Sequence, residues 1–406
     1  MEVSVIIEVS AETLDDEIPM DIGLGSIKNE VLKMLQTGGP KAVVEYLQMT
    51  TASWKSATVK IAVAGKSKAG KSSFINAIRG VDHTDEAFAK EGRGEKSLDV
   101  QEYRHTKNKR IIYCDLPGYG NISMTRKTFL EKVQLLEYDI FLIFVYPVPS
   151  EDDAWLVAQL MEADRGFCFV RAKIDQDMKN APKMGKTEKD VLVEIREKVS
   201  SAVKVMPAIE DVELFLISKK NLSIGEMDEL IAFIEMKIPK LKFEAVLLTL
   251  TAFSNQVIEK KYQFFKDRIS SLSLAIALDG DIKYHGYFLA YSEIMMYFEA
   301  FELNAIFDPE IPNLTHPFSE SCIYKLLDSL REKVPGVFKQ IVPIYNWVAT
   351  YRVCKRFFTQ LLDELKMDYC KMMKFFKKQR ENIGISPDGD ICPSDCPCVK
   401  IKQITF

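Results

Sequence analysis

The run Gly65-Lys66-Ser67-Lys68-Ala69-Gly70-Lys71-Ser72 meets the pattern G-x-x-x-x-G-K-S, and Ser73 follows it. Glycines at the two ends let a backbone curl so that its N–H groups face phosphate oxygens. Lys71 then supplies a point charge between β- and γ-phosphates, and Ser72 offers a hydroxyl to Mg²⁺, which makes these two residues the catalytic candidates as well as ligands. Phosphate binding alone does not separate kinases, ATPases and GTPases, so the elements downstream must.

Three follow in chain order. Asp115-Leu116-Pro117-Gly118 lies fifty residues beyond Gly65, where an aspartate reaches Mg²⁺ through water and a glycine N–H senses the γ-phosphate. Ala172-Lys173-Ile174-Asp175 stands where GTPases carry N/T-K-x-D. A carboxylate at Asp175 can accept two hydrogen bonds, from the guanine N1–H and the 2-amino group, which adenine cannot offer. Ala172 lacks the side-chain oxygen that usually braces this loop, and a solvated Lys-x-Asp turn is the plain alternative. Ser218-Lys219-Lys220 occupies the place where a backbone N–H meets guanine O6. The implied ligands are GTP or GDP with Mg²⁺.

These motifs need a scaffold that presents loops on one edge. The apolar runs 60–64, 110–114, 140–145, 167–170 and 213–217 read as buried strands, alternating with helix-period segments between Val59 and Pro239. That alternation predicts an α/β fold with a mostly parallel sheet, and open sheets of this kind bind ligands at the carboxyl ends of their strands. Two short helices are predicted over 27–36 and 41–48, split by Thr37-Gly38-Gly39-Pro40, and helical periodicity dominates from Lys240 to about Arg380. The expected organisation is an arm (1–20), helices (21–55), the nucleotide domain (56–239), a helical domain (240–383) and a Cys- and Pro-containing tail (384–406).

Taken together, the blocks Gly70-Lys71-Ser72-Ser73-Phe74-Ile75-Asn76 with Arg79-Gly80, Asp115 to Gly120, Phe129 to Lys132 with Glu137-Tyr138-Asp139, and Phe169 to Asp175 resemble the immunity-related (interferon-inducible) GTPases, in the branch with lysine in the P-loop. The resemblance implies a Ras-like P-loop GTPase domain plus a helical domain built from both ends of the chain. It also implies nucleotide-dependent assembly into a homodimer or oligomer, and cell-autonomous immunity at intracellular membranes. Many members carry an acidic residue where this chain has Lys66, and their switch threonines would fall near Glu95-Lys96-Ser97, leaving Ser97 as the hydroxyl candidate for Mg²⁺. Tyr119 stands where small GTPases orient water with a glutamine. Turnover is therefore expected to be slow in isolation, with Arg93, Lys96, Lys66 and Lys68 as cations for transition-state charge, within one chain or across a dimer.

At 406 residues with 47% apolar and 28% charged side chains, the chain has ample material for a core, and its net charge of -4 argues against a general nucleic-acid partner. No apolar run reaches the roughly 18 residues of a membrane span, and the opening residues match neither a signal peptide nor a myristoylation site, so a cytoplasmic location is expected. Peripheral membrane contact could come through 351–380, where Cys354, Phe358, Leu361, Leu365, Tyr369, Met372 and Phe376 form an apolar stripe. Nine Lys/Arg against four Asp/Glu occur between Tyr351 and Ile383. The same stripe better fits a helix packed into a bundle. Cys392, Cys396 and Cys398 have poor zinc spacing and no nearby histidine. Three readings stay open: a GTP hydrolase, a pseudo-GTPase or nucleotide-regulated interaction module, and an ATP-using P-loop enzyme.

Overall fold

The computed structural model describes residues 28–89, 99–120, 124–181, 185–206, 209, 211–218, 222, 224–251, 254–279, 285–305, 314–334 and 343–382. They fall into two compact units, one within 54–260 with 376–382 and one within 28–53 with 261–375. Helix α1 (Lys28–Ser56) breaks at Gly39, whose φ of 68° and ψ of -171° leave the helical region before Pro40 restarts the turn. This is the division expected from Gly-Gly-Pro.

The unit 54–260 is built on a six-stranded sheet of order β2-β3-β1-β4-β5-β6. Its strands are β1 (Val59–Gly65), β2 (Gln101–Arg104), β3 (Ile111–Asp115), β4 (Ile140–Phe144), β5 (Gly166–Arg171) and β6 (Leu214–Leu216). Every pairing is parallel except β2 with β3. β4 is buried at every position and β1 at all but Lys60, because helices cover both faces and leave no room for alternation. Along the chain these helices are α2 (Lys71–Arg79), α3 (Arg126–Lys132), α4 (Glu151–Glu162), α5 (Ile174–Asn180), α6 (Glu188–Val203) and α7 (Met227–Lys237).

Strand β2 was not among the predicted strands. Its residues Gln-Glu-Tyr-Arg are exposed apart from a half-buried Tyr103, as suits a sheet edge, and so carry no apolar run to read. The unit also runs past the expected boundary at 239, taking in α8 (Lys240–Thr249). Lys242 pairs there with Asp139 beside the start of β4, and Phe243, Val246 and Leu247 are buried.

After β2, His105 is buried, its Nδ1 accepting from the Lys107 N–H at 3.1 Å and its Nε2 lying 3.3 Å from the Ile78 carbonyl at the end of α2. An accepting Nδ1 leaves Nε2 as the donor, so the neutral tautomer ties the edge strand to the helix of the phosphate loop. Burial, aided by the neighbouring Lys107 charge, pushes this imidazole from 6.5 down to about 3.

The other unit is built from α1 with α9 (Asn255–Asp279), α10 (His285–Ala300), α11 (Glu320–Lys333) and α12 (Pro343–Asn382). Val31, Val43 and Leu47 of α1 share a core with Leu274, Ala275, Ala277 and Tyr351, so the two ends of the chain close one helical body. The α12 stripe is interior from Tyr351 to Met372, and the Phe376 side chain lies outside the described residues. Tyr351, Cys354, Phe358, Leu361, Leu365, Tyr369 and Met372 are all at or below 3% exposed, and Phe358 meets Tyr297 edge-on at 6.4 Å. Apolar contact of that stripe with a bilayer is thereby replaced by packing. Asp368, fully buried on the same helix, accepts from the Thr315 and His316 N–H groups at 2.8 and 2.7 Å and from Lys371 at 2.9 Å.

Phe358→Ala is expected to cost about 3–5 kcal/mol of stability by opening a cavity in this core. Urea unfolding measures it; an unchanged midpoint would return the stripe to the surface. His105 binds a proton more readily unfolded than folded, so its contribution is complete above pH 6.5 and falls as the solution is acidified below it. Unfolding midpoints followed from about pH 7 to about pH 5 should decline less steeply in His105→Gln than in the natural chain.

Candidate functional site

The sheet register assembles the site. Val63 lies beside Asp115, Gly65 beside Phe144, and Phe144 beside Val170, so the loops after β1, β3, β4 and β5 leave from one edge. At Gly65 the φ of 127° and a clash of 2.2 Å between any Cβ and the Phe144 carbonyl exclude a side chain. The loop then turns through exposed Lys66, Ser67 and Lys68, and buried Ala69, into α2. Gly70 starts that helix without any side-chain cap, and its first turn contains no acidic residue. Its leading N–H groups and positive dipole end therefore face the loop concavity, where an anion would satisfy them.

Lys71 folds back over the loop, donating to the Gly65 carbonyl at 2.9 Å and to that of Lys66 at 3.4 Å, with Asp115 Oδ1 3.8 Å away. Ser72 Oγ donates to Asp115 Oδ2 at 2.9 Å. Burial lowers the Lys71 pKa and raises that of Asp115, each partly opposed by the other's charge. Gly118 lies alongside, since a Cβ built there would stand 3.9 Å from the Gly65 carbonyl oxygen and the Ser67 nitrogen. Ser73 follows half-buried in the same first turn. The predicted phosphate and metal residues thus converge, with a hydroxyl and a carboxylate supplying the hard oxygen donors that Mg²⁺ prefers.

On the other side, Lys173 adopts the left-handed conformation (φ 70°, ψ 21°) as it starts α5. Its Nζ donates to the Lys68 carbonyl, tying the base-reading loop to the phosphate loop. Ala172 is buried, its methyl 3.1 Å from where a Gly70 Cβ would stand. Asp175 is 9% exposed, and both its carboxylate oxygens are buried without a hydrogen-bond partner among the described residues. A buried charge in that condition is costly and calls for a donor pair from outside the chain. Ser218 is fully buried nearby in sequence order after β6, while Lys219 and Lys220, like Arg93, Lys96 and Ser97, lie outside the described residues.

Tyr119 does not face the reaction space. It is buried, its hydroxyl donating to Asp153 Oδ1 at 2.7 Å and its ring meeting Phe129 edge-on at 5.1 Å, and burial beside Asp153 raises its pKa well above 10. Asp153 Oδ2 also accepts from the Ser150 N–H at 2.8 Å and from its hydroxyl at 2.7 Å, capping α4. The loop after Asp115 is therefore anchored on that helix. A second anchor, Asn76, holds both the N–H and the carbonyl of Ala89 at 2.7 and 2.8 Å, and Arg79 donates to the Ala87 carbonyl at 2.9 Å. Neither anchor entered the sequence reading. The S-x-x-D spacing of Ser150 and Asp153 was a usable capping signal, whereas Asn76 and Ala89 are too far apart in sequence to leave one.

Residues 25–297 match the family model described as interferon-inducible GTPase (IIGP). The chain belongs to this interferon-inducible GTPase family. It is 32% identical to interferon-inducible GTPase 1 of Mus musculus over 218 residues, covering 53% of this chain and 52% of that protein. T-cell-specific guanine nucleotide triphosphate-binding protein 2 of Mus musculus is 30% identical over 218 residues, with the same 53% and 52% coverage. Interferon-inducible GTPase 5 of Rattus norvegicus is 26% identical over 264 residues, covering 64% of this chain and 57% of that one. The chain thus spans about half the length of the first two relatives. For this member of the family, the mostly parallel α/β sheet and the P-loop are the parts on which family membership and geometry agree.

Tyr119→Phe leaves Asp153 Oδ1 short of its donor and is expected to lower stability by about 1–3 kcal/mol. Because the ring stays packed away from the phosphates, nucleotide affinity should change little. Unfolding midpoints and nucleotide titration of the same preparation check both halves.

Proposed function

We propose that this chain binds GTP with Mg²⁺ and hydrolyses it to GDP and phosphate, slowly alone and faster when nucleotide-bound copies assemble. The buried, unpartnered Asp175 carboxylate carries the reading: it is a pair of acceptors at the end of β5, tied through Lys173 to the phosphate loop, and guanine presents the matching N1–H and 2-amino donors. The names of the relatives, which include a guanine nucleotide triphosphate-binding protein, favour the same ligand.

In this mechanism the α2 N-terminus and the loop N–H groups hold the phosphates, and Lys71 turns from the loop carbonyls to the β- and γ-phosphate oxygens. Ser72 and, through water, Asp115 would hold Mg²⁺, which when bound neutralises charge developing on the phosphates. Gly118 reports the γ-phosphate through its backbone, and the anchoring of Tyr119 on Asp153 limits how far the following loop moves. Lys66 and Lys68 are exposed cations beside the phosphates, suited to transition-state charge in one chain or across a homodimer or oligomer. A cytoplasmic, cell-autonomous immune role at intracellular membranes fits the family. Since the α12 stripe is interior, peripheral contact there would use its basic side chains, such as exposed Arg352, Arg356 and Lys374.

A second reading, a pseudo-GTPase or nucleotide-regulated interaction module, is favoured by Tyr119, which has no amide to orient the attacking water and whose hydroxyl is buried on Asp153. Multiple-turnover phosphate release across a protein concentration series decides between them. We expect turnover that rises with concentration and disappears in Lys71→Ala. Asp175→Asn should lose preference for GTP over ATP by about 100-fold or more, two donor contacts being at stake. GTP bound without turnover at any concentration would support the module, and undiminished base preference in Asp175→Asn would remove the guanine assignment.

A further inference from the structure

The base-reading loop lacks its usual brace, yet Asp175 can select guanine only if that loop is held to within a few tenths of an ångström. Residue 172 abuts Gly70, the place from which a side-chain oxygen would reach the phosphate loop, and here it presents only a methyl group. Something else must fix the segment between β5 and α5.

Tyr146, two residues beyond β4, is placed for it. The parallel register continues past the strand end, with the Val145 N–H donating to the Val170 carbonyl at 3.0 Å, and this sets the next side chain of the β4 loop against residues 171–173. The Arg171 guanidinium carbon lies 4.4 Å from the centre of the Tyr146 ring, and Lys173 Nζ also lies 4.4 Å from it. These are the residues flanking Ala172. Arg171 is 4% exposed, its Nε has no hydrogen-bond partner among the described residues, and the ring is what its delocalised charge rests on. From there Arg171 donates to the Ala172 carbonyl and pairs with Asp177 in the first turn of α5 at 2.8 Å. Lys173, on the same ring, reaches the Lys68 carbonyl. One aromatic side chain thus gathers two cations of like charge that would otherwise repel, and each continues into a contact on one side of Asp175.

We propose that Tyr146 is a positioning residue for guanine recognition, a cation–π clamp on Arg171 and Lys173 that replaces the missing side-chain brace at residue 172. This rests on the assignment of Asp175 as the guanine reader. The ring does the work and the hydroxyl does not, so the conservative variant is Tyr146→Phe. The residue is 41% exposed, which makes substitution compatible with folding.

The test compares GDP with IDP in the presence of Mg²⁺, using competition against a fluorescent GDP analogue. IDP lacks only the 2-amino group, so the ratio of the two dissociation constants reports the position of the carboxylate separately from the phosphate contacts. Tyr146→Ala should bind GDP about tenfold more weakly, mainly through faster dissociation, and lose less for IDP, so the ratio falls. Tyr146→Leu, which restores bulk without a π face, should behave like alanine, and it carries the test if the alanine variant does not fold. Tyr146→Phe should stay within about twofold of the natural chain. Equal losses for GDP and IDP, an unchanged ratio in Tyr146→Ala, or a Tyr146→Phe variant as weak as alanine would each overturn the clamp. If the natural chain itself fails to prefer GDP over IDP, the guanine assignment falls and the clamp with it. A selective natural chain with an insensitive Tyr146→Ala removes the clamp alone.

Discussion

Parallel pairing of β1 with β3 on one side and with β4 on the other constrains everything the site does. It brings the ends of strands from distant parts of the sequence to one edge, where Val63 faces Asp115 and Gly65 faces Phe144. A slip of one residue in either pairing would reverse which face each side chain meets and carry Asp115 away from Ser72. The fully buried apolar faces of β1 and β4 resist such a slip, because it would need every helix covering them to repack. The 2.9 Å contact between Ser72 and Asp115 is therefore a property of the sheet more than of the two residues.

On that edge the molecule carries charges that its own interior does not fully satisfy. Lys71 and Asp115 are both shifted toward their neutral forms by burial, and the Asp175 oxygens have no donor among the described residues. Such groups lower the stability of the fold, and a ligand that meets all of them at once returns that free energy as affinity. In the proposed reading phosphates would answer the lysine and the α2 N-terminus, a guanine edge would answer the aspartate, and no single-ended anion would answer both. Binding should then raise apparent stability by mass action, about 2.7 kcal/mol at a ligand concentration of 100 dissociation constants.

How much could be read in the sequence depended on whether a signal was local. The phosphate loop and five strands were legible because contiguous residues write them, as was Asp175 from its spacing to the preceding strand. Strand β2 was not, since an exposed polar edge has no hydrophobic period. The α12 stripe showed that the helix is amphipathic without showing what covers it, because a bundle and a bilayer demand the same spacing; Tyr297 and Phe358 in contact resolve it. Tyr119 with Asp153, and Tyr146 with Arg171, are joined only by tertiary structure. Their partners lie on different elements, and nothing in the spacing of one announces the other.

The position of Tyr119 also narrows how hydrolysis can be arranged. In a small GTPase the residue after the D-x-x-G turn reaches the attacking water, but here that residue points into the sheet's helix layer and is locked by a hydrogen bond and an aromatic stack. Freeing it would leave Asp153 short of a donor and open the ring's contacts with Phe129 at 5.1 Å and with Trp155 of α4 at 6.3 Å, a cost no single water contact repays. Water orientation must then come from groups that are exposed at the phosphate end. Among the described residues, Lys66, Ser67 and Lys68 are exposed there, two cations and one hydroxyl. The cations stabilise charge without orienting a nucleophile and a single hydroxyl does so weakly, so in the proposed mechanism one copy holds GTP better than it cleaves it. A second copy brought against that end would add further polar groups, which is why assembly and turnover are coupled in the proposed mechanism.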